Sequence, residues 1–441
     1  MKEKDIAVVI LNYIQYINII PGIESLIKKG YSVDIYCNDT DDNAGFKELF
    51  ADIRKHMREK GYTVYECAQK IKYKVLLEPY PTGINIKSKY KIKYRYGNIS
   101  AKPNIVYIPK NFIIYDCILC AGDYDSNYLS VFSKTYKTGN QKYVNFHKIK
   151  SKKYTKKVLL YLPTYGKESS IELIGDELKN LRKKYYIIAK IHHGTSFLKN
   201  EVARIEKIKN QVDEFYDLHK NLSELLAIAD VVLTDNSGSI FEAIYTEVPV
   251  AVFADDINKN KLNNFNTTQY ELFKNGILPY TNDKNKIKLI LEKAQDKIVY
   301  AKQKKWNQEN FYHPKDLVKD FTDIIEKFIN NDIDKRYFEM HSVLKKDYFE
   351  MQNKIDCLEN EITNSRNELR EEKNKNDKLK TKLNDVKDKN TNLKKENDEL
   401  RKKFFDLDED NNRLKRTVNY YKSGRLYKLA NKLYKIKNGG K

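Results

Sequence analysis

Three short segments of this chain carry side chains suited to holding a phosphate. In the first, Thr234-Asp235-Asn236-Ser237-Gly238-Ser239 lies between an apolar run, Val231-Val232-Leu233, and a helical pattern that starts at Ile240. Such an order reads as a buried parallel strand, a loop and a helix start. The first amides of a helix have no intrahelical partner and sit at the positive end of its dipole, which suits a phosphate. Ser237 and Ser239 add hydroxyl donors, Gly238 permits close approach of the backbone, and Glu242 stands one turn inside the helix, where it would reach a ribose. The same turn also reads as a capped helix with no ligand, because Ser, Asp and Gly favour such turns wherever they occur.

The second segment, Pro163-Thr164-Tyr165-Gly166, follows the run Val158-Leu159-Leu160-Tyr161-Leu162. The third, Lys190-Ile191-His192-His193-Gly194-Thr195, closes a strand pattern that begins at Tyr185. Ligands of parallel sheets bind outside the carboxyl ends of the strands, so the topology predicts that all three segments share one edge. A histidine there suits base or electrophile work, its unperturbed pKa of about 6.5 lying near neutrality.

To set these loops side by side the chain must build strands and helices in alternation. Strand patterns at 5–11, 31–37 and 62–67 alternate with helical patterns at 15–29 and 44–60, the first of them closed by Gly30. This predicts a doubly wound parallel sheet without the GxGxxG fingerprint at its first turn. Residues 70–110 are rich in Tyr, Lys and Pro and read as an irregular surface lobe, or as a basic and aromatic holder for an anionic acceptor. The sheet resumes at 112–120, followed by a helix at 128–136 and a strand at 142–146. After a basic hinge at 150–157 the alternation restarts, with helices at 170–183, 223–229, 287–304 and 315–330. Two Rossmann-like halves of this kind give an α/β fold of the GT-B type, with the reaction in the cleft between them.

A length of 441 residues calls for two or three domains, and 41% hydrophobic content is enough for their cores. The net charge of +21 requires an acidic partner: a nucleotide, an anionic polymer, an anionic lipid surface or a nucleic acid. The basic excess is spread through the chain and no recognition module accompanies it, which argues against nucleic acid. Cys37, Cys67, Cys117, Cys120 and Cys357 have no disulfide-framework spacing, and Cys117 and Cys120 lie in an apolar run that reads as core. No run of about twenty apolar residues and no leader pattern occurs, so a cytoplasmic location is expected.

The three segments together resemble the CDP-glycerol glycerophosphotransferase family of teichoic-acid polymerases and primases. The matching residues are Pro163 and Thr164, Lys190 and His192, then Thr234, Asp235, Ser237, Ser239, Phe241 and Glu242, with Pro249 beyond. The resemblance implies a second domain that binds a CDP-glycerol-like donor through Pro163, Thr164, Lys190, Thr234, Asp235, Ser237, Gly238, Ser239 and Glu242. His192 and His193 are then the catalytic candidates, beside the diphosphate. It further implies transfer of a polyol phosphate to an envelope polymer or lipid-linked acceptor, with CMP leaving and neither cofactor nor metal. The alternatives are a GT-B sugar transferase using an NDP-sugar and a degenerate domain that scaffolds envelope synthesis. The chain departs from the family in Ser237-Gly238-Ser239, where adjacent serines are usual, and in lacking a first-domain His-Gly pair. His56 and His147 are the only histidines of that domain, and Asp123 or Asp125 is the substitute base considered. His219, His313 and His341 read as ordinary surface or packing residues.

The expected domains are 1–150 on the acceptor side, 151–330 for the donor nucleotide, a linker at 331–350, a coiled coil at 351–421 and a tail at 422–441. In the coil, Ile355, Ile362, Leu369, Leu383, Phe404 and Val418 share one heptad position, and Leu358, Leu379, Val386, Leu393, Leu400, Leu407 and Leu414 the other. Asn376, Asn390, Asn397 and Asn411 fall at the first position, a pattern that favours a parallel homodimer. In the tail, Leu426, Leu429, Leu433 and Ile436 line one face of an otherwise basic helix, which suits an anionic membrane surface. The protein is therefore expected to lie peripherally at the inner face of the cell membrane.

Overall fold

The computed structural model describes the backbone of residues 2–38, 44–95, 111–149, 154–166, 169–192, 195, 201–217, 219–235, 237–254, 268–384 and 390–420. It divides into two units, Met1–Ile333 and Asp334–Lys441.

Among the described residues of the first unit, seven strands make one parallel sheet. They are β1 (Lys2–Val9), β2 (Val33–Tyr36), β3 (Val64–Tyr65), β4 (Ile71–Glu78), β5 (Lys87–Lys93), β6 (Cys117–Cys120) and β7 (Lys134–Lys137), in the order β3-β2-β1-β4-β5-β6-β7. The helices α1 (Tyr13–Lys28), α2 (Ala44–Glu59) and α3 (Asp123–Leu129) belong to this lobe. Gly30 closes α1 at φ 94°, a left-handed torsion that glycine takes without a Cβ penalty. Cys117 and Cys120 are buried core residues, as expected.

The sheet corrects the irregular lobe expected from residue 70 onward. Ile71–Glu78 is a central strand, pairing with β1 through Ile6↔Val75 and Val8↔Leu77 and with β5 on its other side. Tyr and Lys alternate with apolar residues here, and Tyr73, Val75 and Leu77 are fully buried while the lysine stems cover the flanks. Two further expectations give way. A helix ends at Leu129 and Lys134–Lys137 is an edge strand, while residues 141–143 and 146–148 are single 3₁₀ turns. Residues 96–110, including Gly97 of the Tyr94-Arg95-Tyr96-Gly97 landmark, lie outside the described residues.

The second sheet consists of β8 (Lys157–Leu162), β9 (Tyr185–Lys190), β10 (Glu214–Tyr216), β11 (Val231–Thr234), β12 (Val250–Phe253) and β13 (Tyr280–Thr281). Its order, β10-β9-β8-β11-β12-β13, is the doubly wound 3-2-1-4-5-6 arrangement. Around it lie α4 (Ile171–Leu181), α5 (Val202–Lys209), α6 (Leu222–Leu226), α7 (Ser239–Tyr245), α8 (Thr268–Lys274), α9 (Ile287–Ala294) and α10 (Lys297–Asn310). Val158, Leu160, Val232, Val250, Phe241 and Ile244 share one core on one face, while Leu159, Tyr161, Ile187 and Leu233 share another with α4 and α9. Strands covered on both faces read as continuous apolar runs for this reason.

The last helix of the unit, α11 (Leu317–Ile329), was expected to end the second domain but packs on the first. Its Phe321 lies so close to Gly22 of α1 that a Cβ there would stand 2.3 Å from the ring. Lys29 pairs with Glu326 at 2.9 Å, and the rings of Tyr90 and Phe328 meet at 5.4 Å.

The second unit contains α12 (Lys335–Asn384) and α13 (Asn390–Tyr420), which lie against each other. The expected linker at 331–350 is helical from Lys335. Ile355 and Ile362 of α12 and Asn411 of α13 are buried at heptad positions, whereas Phe404 is 53% exposed. The tail from residue 421 lies outside the described residues.

Candidate active site

Register pairs Thr234 of β11 with Leu162 of β8, so the loops after these two strands leave the sheet side by side. They flank the point where the strand order reverses, the usual crevice of a doubly wound sheet. The Thr234 hydroxyl donates to the Leu162 carbonyl at 2.7 Å. Asp235, wholly buried, accepts from the Thr164 amide at 2.8 and 2.9 Å, from the Ser170 amide at 3.0 Å and from the Ser170 hydroxyl at 3.1 Å. Burial pushes its carboxyl up to about 7, and these three donors pull it back. Thr234 and Asp235 thus brace the two loops from behind.

The Ser237 hydroxyl accepts from the Ser239 amide at 3.0 Å and so holds the first turn of α7. Gly238 has φ −60°, a torsion open to any residue, so its contribution is the space a side chain would fill. Gly238 is exposed and Ser239 half-buried at the start of the helix. Glu242 is placed differently from the ribose reading. Its carboxylate pairs with Lys142 Nζ at 2.5 Å and accepts from the Tyr143 hydroxyl, all three groups being buried. Burial lowers the Lys142 ammonium, and burial beside Glu242 raises the Tyr143 phenol. Glu242 therefore fastens the turn at 141–143 to the donor-loop helix.

After β9, Lys190 donates to the Asp217 carbonyl at 2.8 Å, and burial holds its ammonium down to about 8 against the attraction of Asp217. His192 stacks on Tyr165 with ring centroids 4.6 Å apart at 24°, which joins the β9 loop to the β8 loop. Pro163, Thr164, Lys190, His192, Ser237 and Ser239 accordingly stand on neighbouring strand ends. His193 lies outside the described residues, as does Asn236.

Two groups escaped the sequence reading. Arg204 of α5 donates to the Gly166 carbonyl at 2.8 Å and pairs with Glu172 at 2.5 Å and Glu201 at 2.7 Å, tying α5 to the β8 loop. Nothing in the local sequence marks it. The second is a cluster in which both lobes take part. Tyr13, at the start of α1, places its ring 5.2 Å from that of His56 on α2 and 5.0 Å from that of His219, beyond β10. His219 Nε2 lies 3.9 Å from Asp52, and burial beside that carboxylate pushes the Tyr13 phenol up to about 12. His219 reads as an ordinary surface or packing residue, and His56 only as a histidine of the first domain, because their partners are remote in sequence. Of the substitute bases, Asp123 pairs with Lys137 at 3.0 Å, and Asp125 is buried with Arg95 3.6 Å away, where burial raises its carboxyl.

Residues 133–316 match the model of the family described as CDP-Glycerol:Poly(glycerophosphate) glycerophosphotransferase. No curated protein sequence matches the chain. Among solved structures, a variant of the wall teichoic acid polymerase TagF is 16% identical with a TM-score of 0.50, over 75% of this chain and 90% of that one. A second TagF structure is 17% identical with a TM-score of 0.49, over 75% and 89%. S. aureus MnaA bound to UDP is 12% identical with a TM-score of 0.48, over 75% and 97%. The likeness to the polymerase is one of fold, and it agrees with the GT-B pairing of two parallel sheets. The β8, β9 and β11 loops all fall inside the stretch, residues 133–316, that matches the CDP-Glycerol:Poly(glycerophosphate) glycerophosphotransferase family model.

Proposed function

We propose that this chain transfers a polyol phosphate from a CDP-activated, glycerol-like donor to a teichoic-acid-type polymer or lipid-linked acceptor. The observation that carries the reading is the family match across the strand ends that Asp235, Arg204 and the His192–Tyr165 stack hold together. In this reading Ser239, the Gly238 backbone and Lys190 hold the diphosphate, and His192 steadies the charge that grows on the departing CMP. A loop braced from beneath keeps its donors aimed at that charge without reorganising during the reaction. The acceptor hydroxyl attacks the donor β-phosphorus, the bond to CMP oxygen breaks, and the hydroxyl proton passes to a base.

Incubating the full chain with CDP-glycerol and a teichoic-acid acceptor tests this. CMP release that depends on acceptor is expected, and release of UDP from a UDP-sugar instead would replace the donor assignment. His192→Ala should lower turnover on the order of 10² while changing donor affinity less.

The reading extends to location and assembly. Among the described residues no helix is long and apolar enough to cross a membrane. We propose that the basic tail from Lys422 rests on anionic lipid at the inner face of the membrane, and that the heptads pair two copies.

A further inference from the structure

A cavity of about 140 Å³ opens where α3 of the first lobe meets α8 and α10 of the second. Its aromatic walls are Tyr124 and Tyr128 from α3 and Trp306 from α10, and its polar rim includes Thr268, Glu271 and Asn275. The Tyr124 ring stands 5.9 Å from Trp306 at 50° and 5.1 Å from Tyr128 at 56°, so the three faces form a corner. A hydrogen bond between the Tyr124 hydroxyl and Thr268 Oγ1 ties the two lobes at this corner. Behind it, Trp306 packs 5.9 Å from Phe241, which is buried one turn into the helix that begins at Ser239. The cavity therefore leans, through Trp306, on the same helix as the donor loop.

Aromatic faces pack against C–H surfaces, and a carboxylate beside an amide accepts and donates to hydroxyl groups. The volume suits one sugar ring or one alditol and is too small for a nucleotide. Glu271 repels a phosphate, and the cavity lining contains no cationic side chain among the described residues. We propose that this cavity holds an uncharged polyhydroxyl unit of the acceptor. The word acceptor rests on the transferase reading above, whereas the binding chemistry does not.

Trp306 is the single tryptophan of the chain, so its emission reports this cavity directly. The full chain would be titrated with ribitol and with methyl glucoside, and with inorganic phosphate as the charged counter-probe. A saturable change with at least one neutral polyol and none with phosphate is expected. Tyr128→Ala, at a position 51% exposed, should weaken that response by about tenfold, as should Asn275→Ala. No saturable response to either polyol, a response to phosphate instead, or an unchanged affinity in both variants would overturn the proposal. CMP release measured alongside separates the two readings. Release without a Trp306 response defeats the cavity alone, and a response without release leaves the cavity standing while the donor assignment falls.

Discussion

The two lobes have the same architecture and very different sequences. In the second, residues 158–162, 231–233 and 250–253 are unbroken apolar runs, and the polar loops that follow them stand out by contrast. In the first, β5 reads Lys-Ser-Lys-Tyr-Lys-Ile-Lys and still pairs along both edges, with β4 and with β6. What makes such a strand tolerable is the treatment of its last lysine. Lys93 is buried, donates to the Pro79 carbonyl, and lies 5.6 Å from the Phe112 ring centroid and 5.3 Å from that of Tyr115. Glu78 nearby accepts from the Thr82 amide at 3.0 Å and from its hydroxyl at 2.5 Å. The first lobe thus holds its strand ends with buried polar clusters, and the second holds the ends of β8 and β11 with an apolar core and the buried carboxylate of Asp235.

The contrast is sharpest at Glu242, where the two lobes are fastened. Replacing it with Ala strands Lys142 in a buried site, and breaking a buried pair from one side costs about 3–5 kcal/mol. Thermal unfolding should show that loss, together with an activity loss that a donor contact alone would not explain. An unchanged melting temperature with weakened nucleotide affinity would return Glu242 to the ribose role.

Asp235→Ala comes next. It leaves two buried amides and a hydroxyl without their acceptor, at about 1–3 kcal/mol for each group that water cannot reach. Both stability and donor binding should fall, whereas Ser237→Ala combined with Ser239→Ala should weaken nucleotide binding with the fold intact. Calorimetric titration with CDP-glycerol distinguishes the two variants. Equal destabilisation by both would mean that the Ser237 hold on the first turn of α7 matters to the fold as much as Asp235 does.

These contrasts explain what was legible in the sequence. The second lobe could be read because its strands are buried on both faces, and its three loops were expected on one edge because strand order alone requires it. The centre of the first sheet was missed because Tyr and Lys bury their stems while hydropathy scores only their tips. The roles of Asp235 and Glu242 were missed for another reason. A carboxylate one turn into a helix is equally suited to a ribose or to a lysine from another element, and only the fold brings Lys142 there. The Tyr13–His56–His219 cluster draws on three segments far apart in the chain, so no local spacing announces it.

Both lobes carry a buried lysine whose ammonium is held down, Lys93 to about 7 in the first and Lys190 to about 8 in the second, and Lys93 has the longer pH range. Burial, with Arg95 nearby, holds its ammonium down to about 7, while Glu78 pulls it up. The unfolded chain therefore binds more protons than the folded one between about pH 7 and the ordinary lysine value of about 10.5. Stability should rise with pH across that window and level off above it. Lys93→Met keeps the stem, removes the charge and should reduce the slope, leaving the part that Lys190 contributes above about pH 8, while gaining stability at pH 7. A slope unchanged in the variant would assign it to Lys190 alone or to another group.

The smallest effect on the catalytic unit is expected from removing the second unit. Met1–Ile333 contains both sheets and α11, whose Phe321 and Phe328 are buried against α1 and β5, so its core closes before α12 begins. Truncation after Ile333 should leave CMP release and the melting temperature nearly unchanged. Assembly should respond instead. The seam that carries Ile355, Ile362 and Asn411 is in use within one chain, between α12 and α13, and the same heptads fit a pairing between two copies. Each pairing covers the apolar stripe, so sedimentation of the full chain decides between them. A dimer that becomes a monomer on truncation assigns the seam to assembly, and a monomer in both forms assigns it to the α12–α13 pair. Phe404→Glu separates them further, because that side chain is exposed in the pair within one chain and falls at a seam position in the pairing of two. Loss of the dimer with helix content retained is the outcome that the assembly reading requires.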